Sequence, residues 1–126
     1  MSLKRLAAAL AMFAALAGGA GVALAAVAAH KVQTPALGSA AQMLMIHGAA
    51  GLAMLATAHR CSASRGWLVA AALVVSGSLL FALAVALPIL ADSRLLAHFA
   101  PVGGSTVMLG WAIGAFAAAR EIFVAE

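Results

Sequence analysis

The chain has 126 residues, 67% of them apolar and only 8% charged, with a formal net charge of +4. A soluble domain is about half apolar and about a quarter charged, so this composition excludes a water-soluble fold, whose surface needs Lys, Glu, Arg and Asp. The basic residues stand singly or in pairs between apolar blocks, which excludes a nucleic-acid footprint, and the single cysteine, Cys61, excludes an intramolecular disulfide.

The first apolar block, residues 6–29, runs for 24 residues without a charge. Lys4 and Arg5 precede it, and Ala23-Leu24-Ala25 resembles a small-residue cleavage site, as in a signal peptide. The run is longer than a usual signal-peptide core, so a retained span is expected. Lys31, Pro35 and Gly38 then mark a turn over residues 30–39. The second block, residues 40–58, is rich in Ala and Gly and contains Gln42 and His47. Met43, Leu44, Met45, Ile46, Leu52, Met54 and Leu55 supply its hydrophobicity. Residues 59–66 form a short polar link with His59, Arg60, Cys61 and Arg65, where Cys61 reads as an incidental thiol rather than a nucleophile. The third block, residues 67–91, carries Ser76 and Ser78, with Pro88 near its end. Residues 92–98 lead to the fourth block, residues 99–119. Pro101 places the start of that helix near Ala100, because proline is tolerated in a first turn and kinks an interior.

A helix needs roughly 20 apolar residues to cross the hydrocarbon core, and helices satisfy their own backbone groups in lipid. The expectation is therefore an all-α membrane protein: a single domain, residues 1–126, folded as a four-transmembrane-helix bundle with short loops and spans near 6–29, 40–58, 67–91 and 99–119. With four spans, the N-terminus, the middle loop and the C-terminus share one side. That side carries Lys4, Arg5, Arg60, Arg65 and Arg120, against Lys31 and Arg94 on the other. The positive-inside rule then puts both termini in the cytoplasm of a bacterial inner membrane, with Trp67 marking the inner interface.

Small residues recur through the spans. Lipid offers no hydrophobic drive between helices, so Gly and Ala gain stability by letting backbones approach. Gly18, Gly48, Gly77, Gly103, Gly104, Gly110 and Gly114 are the helix-packing candidates. Gly110 and Gly114 form a GxxxG, which suits either a homodimer face or packing within one chain. Intramolecular packing is the preferred reading.

Polar groups at membrane depth are candidates for function. In the expected topology His30, Gln42, His47, Ser78, His98 and Ser105 belong to a polar pocket opening outward. Gln42 and His47 lie five residues apart, about 140° around the helix axis, so they do not share a narrow stripe. No HExxH, P-loop, GxSxG or carboxylate pair is present. The three acids, Asp92, Glu121 and Glu126, are all outside the depth of the spans. The chain therefore reads as a non-enzyme without a metal site or cofactor, whose partners are the lipid bilayer and, as an option, a second copy or another membrane protein. Two other classes stay open: a small transporter or proton-linked permease using His47, and a membrane redox or quinone-binding subunit.

Ala28-Ala29-His30, then Gln42 through His47 followed by Gly48-Ala49-Ala50-Gly51-Leu52, then Gly77-Ser78-Leu79, then Pro101-Val102-Gly103-Gly104 and Gly110-Trp111 occur in that order along the chain. In these elements the sequence resembles the membrane family called domain of unknown function 423, which includes the transmembrane protein 256-like proteins. Ala28 stands where that family usually has Gly. Its tyrosines before the second-helix His and after Gly-Ser-Leu are missing here, since the chain has no Tyr. The resemblance implies a multi-pass membrane protein and no established activity.

Overall fold

The computed structural model describes residues 2–61 and 64–124, with only the backbone of Val124; Glu126 lies outside these residues. Its helices are α1 (Leu3–His30), α2 (Pro35–Ala58), α3 (Ser64–Leu90) and α4 (Ala100–Val124), with a short 3-10 turn, Ala97–Phe99, leading into α4. Among the described residues, four helices are long and apolar enough to cross a membrane.

The ends of the helices have local causes. Ser2 Oγ accepts a hydrogen bond from the Arg5 amide at 3.4 Å, capping α1. Thr34 Oγ1 accepts one from the Leu37 amide at 3.4 Å, with Pro35 as the first helical residue. This cap and proline pair starts α2 well before residue 40, because proline's fixed φ suits a first turn and its missing N–H costs nothing there. The turn expected over 30–39 shrinks accordingly. The start of α4 at Ala100 matches the expectation from Pro101. After α3, Asp92 takes φ 50° and redirects the chain, while the Ser93 amide donates to the Leu87 carbonyl at 3.2 Å. A short polar side chain such as Asp tolerates this left-handed conformation.

The helices pack in chain order. α1 lies on α2, α2 on α3 and α3 on α4, while α1 touches α3 lightly. α2 and α3 therefore form the centre, and α1 and α4 flank it. Consecutive helices run antiparallel: Gly48 faces Ala14 and Gly18, Gly51 faces Val75, and Gly110 faces Ala70 and Val74.

The size pattern is the reverse of a soluble core. The buried side chains are mostly small, among them Ala14, Ala17, Ala40, Ala41, Ala70, Ala71, Val74, Val75 and Ala117. Leu16, Val22, Ile46, Met108 and Phe116 point outward and are 58–74% exposed. Water would penalise so large an apolar surface. In lipid the outward Leu and Phe lose nothing, and the inward Ala and Gly bring backbones into van der Waals contact.

Candidate functional site

Two glycine crossings hold the outer helices to the centre. A Cβ on Gly48 would meet the Ala14 carbonyl oxygen at 2.7 Å and the Gly18 nitrogen at 2.9 Å. On the other side of the bundle, a Cβ on Gly77 would meet the Gly103 carbonyl oxygen at 2.8 Å, and one on Gly103 would meet the Gly77 carbonyl oxygen at 2.8 Å. Gly110 is equally tight, with the Ala70 oxygen and Val74 nitrogen both at 3.0 Å. At these points only hydrogen fits on Cα.

The remaining packing candidates sit differently. Gly18 takes part through its backbone, yet a Cβ of its own would meet nothing within 4 Å, and the same is true of Gly104. Gly114 is buried against Trp67, Met54 and Ala70, with its nearest neighbour at an ordinary 3.5 Å. Gly110 and Gly114 thus both face the interior of their own chain. Gly21 and Gly51 are also close-contact positions: a Cβ would meet the Ala41 oxygen at 2.9 Å and Val75 Cγ2 at 2.5 Å respectively. The sequence signal for Gly21 is the seven-residue spacing Ala7, Ala14, Gly21, which keeps one helical stripe facing its partner.

The structure places the six polar candidates at several points of the bundle. His30 and His98 are exposed at the bundle end where α1 finishes and α4 begins. Gln42 is exposed and lines a hollow between α1 and α2 with Gln33 and Thr34. Ser105 lies on the outer side of α4, in a hollow with Pro101, Thr106 and Leu109. Ser78 is fully buried and donates to the Val75 carbonyl of its own helix at 2.9 Å. His30, Gln42, His98 and Ser105 lie toward one end of the bundle, whereas Ser78 sits at the middle of α3; which way each faces depends on helix phase.

His47 is half-buried between α2 and α4. Its Nδ1 lies 2.8 Å from the Met43 carbonyl oxygen. A carbonyl only accepts, so Nδ1 carries the proton in this contact. The imidazole meets the Trp111 indole edge to face, with centroids 6.3 Å apart and planes at 72°.

The same local bonding recurs along the helices. Ser39 donates to the Pro35 carbonyl, Thr57 to Ala53, Ser76 to Leu73 and Thr106 to Val102, at 3.1, 2.9, 3.4 and 2.8 Å. With His47 Nδ1 and Ser78, six polar side chains bond a carbonyl of their own helix, as Ser and Thr commonly do. Trp67 is half-buried near the start of α3. Its ring packs beside Gly114 and the cluster of Met54, Ala70 and Val74, and its Nε1 is buried with no hydrogen-bond partner among the described residues.

At the end of the bundle that carries the chain's N-terminus, Lys4, His59, Cys61 and Ser64 line a cavity of about 320 Å³. Sequence reasoning noted His59 beside Cys61 and had no means to add Lys4, which lies far away in the chain. Among the described residues, no group of three or more His, Cys, Asp or Glu side chains is placed to share a metal ion.

Antiparallel apolar helices, a core of small residues and polar groups bonded within their own helices define a four-helix membrane-protein bundle. The chain belongs to the family described as "Protein of unknown function (DUF423)", whose family model matches residues 24–104. The matched region reaches from the second half of α1 to the first turn of α4, so it contains Gln42, His47, Gly48, Gly77 and Gly103 but not Gly110-Trp111. No curated protein and no solved structure matches the chain.

Proposed function

We propose that this protein is a non-enzymatic component of a bacterial inner membrane, with both termini cytoplasmic, whose role is structural, accessory or lipid-interacting. The observation that carries this reading is that six polar side chains along the helices are bonded to their own backbone, while the helices meet through Gly, Ala and Val. A Ser or Thr hydroxyl bonded in this way has its donor satisfied without a substrate. The scattering of His30, Gln42, His47, His98 and Ser105 over separate surfaces supports the same reading over a permease. The excess of Lys and Arg at the end with the termini supports the orientation.

His47 gives the test. The purified chain and its His47→Ala variant would be reconstituted in vesicles loaded with a pH-sensitive dye. The accessory reading expects no proton flux from either and a variant that unfolds more easily, because the ring contact with Trp111 is lost. His47-dependent flux together with unchanged stability would establish the permease instead. For the orientation, reporter fusions placing Ala40 in the cytoplasm would refute the proposed topology.

A further inference from the structure

We propose that the furrow between α1 and α2 at the N-terminal end of the bundle binds one anionic phospholipid, with the phosphate on Lys4 and His59 and an acyl chain below them. The inference deepens the reading of a lipid-interacting membrane bundle and rests on it. Lys4 stands in the first turn of α1, and His59 caps the last turn of α2. Both are exposed, and the antiparallel packing brings them to the rim of one lateral furrow of about 440 Å³. They also line the adjoining end cavity, where Ser64 adds a hydroxyl.

Below this rim the walls turn wholly apolar: Ala8 and Ala11 on α1, Leu52, Leu55 and Ala56 on α2. From Lys4 to Ala11, and from His59 back to Leu52, the walls descend about 10 Å at 1.5 Å per residue. That is roughly two-thirds of the hydrocarbon half-thickness of a bilayer. A cationic rim above an apolar furrow of this depth has the polarity profile of a phospholipid standing in its own leaflet. The alanines create the furrow, since larger side chains would fill it.

Charge selects the anionic headgroup. Arg5 and Arg60 adjoin the rim in sequence, and none of the three acids of the chain lies on α1 or α2. Basic pockets between helices on the cytoplasmic side are the usual setting for anionic headgroups, and each cation near the bilayer surface favours such a lipid roughly fivefold. The hollow at the opposite end of the same two helices, lined by Ala25, Gln33, Thr34, Gln42 and Met45, has no cation in its lining, although His30 and Lys31 adjoin it in sequence. The two ends of one helix pair thus differ in the feature that discriminates lipids.

The test is native mass spectrometry of the full chain released from nanodiscs of mixed phosphatidylcholine and phosphatidylglycerol. One phosphatidylglycerol per chain should persist in preference to phosphatidylcholine. The double variant Lys4→Gln, His59→Gln should lower that retention roughly fivefold or more. Ala56→Phe, which fills the furrow and removes no charge, should lower it too, while Arg94→Gln at the opposite end should leave it unchanged. Equal retention of both lipids, or retention unaltered in either the double variant or Ala56→Phe, overturns the proposal. Alkaline extraction of the parent membranes separates the two readings. A chain that stays in the membrane yet keeps no phosphatidylglycerol loses only this site. A chain that is extracted loses the membrane-bundle reading as well.

Discussion

Gly110 and Gly114 stand four residues apart on one helix and meet different surroundings. A Cβ at Gly110 would press on α3 backbone atoms at 3.0 Å, whereas one at Gly114 would find side chains at 3.5 Å or beyond. Gly110→Ala should therefore destabilise the protein by about 1–3 kcal/mol, the usual cost of overpacking. Gly114→Ala should be neutral or stabilising by up to about 1 kcal/mol, through helix propensity. The same contrast separates Gly48→Ala, which is costly, from Gly104→Ala, which has open space. Unfolding of the four variants in a single detergent checks the ranking. A homodimer motif would make Gly110 and Gly114 equally sensitive and would couple both to oligomeric state. Bulk at the second position extends the point: Gly114→Leu presses on Trp67 and Met54 and should lower stability with the subunit count unchanged, as read by light scattering.

At the scale of elements, the connections are decided by single residues. Thr34 and Pro35 start α2 within a segment whose Gly38 reads as a turn signal, because a side-chain cap and a preset φ outweigh one glycine. Thr34→Ala should cost about 1 kcal/mol and fray the first turn, visible as faster amide exchange at Leu37. Asp92 occupies the left-handed region at the exit from α3. Asp92→Val should cost about 1–2 kcal/mol, while Asp92→Gly should be tolerated or slightly stabilising; thermal unfolding distinguishes the two. A bland role for Asp92 as a solvated helix end, with its backbone unconstrained, would make the two substitutions alike.

At the scale of the whole molecule, the start of α1, the end of α2, the start of α3 and the end of α4 lie at one end, the end that carries Lys4, Arg5, Arg60, Arg65 and Arg120. Cys61 is the sole cysteine and belongs to that end. A membrane-impermeant maleimide should therefore label Cys61 in inside-out vesicles and not in intact spheroplasts; the opposite pattern would reverse the proposed orientation. The number, order and approximate extent of the helices were legible from the chain alone, because hydropathy over roughly 20 residues reports directly on the solvent around a span. Gly48, Gly77, Gly103 and Gly110 were packing candidates for a similar reason: in lipid, small residues go where backbones meet. Which glycines have no room for a methyl group, and which have space, depends on the partner helix and was decided only by the tertiary structure. The polar residues show the same division. Their depth along the chain follows from sequence, but Gln42, His47 and Ser105 face three different ways, because direction depends on helix phase against a neighbour. The approach of Lys4 to His59 likewise exists only once α1 and α2 lie antiparallel. Span and solvent are properties of local composition, whereas a site is a property of which helix faces touch.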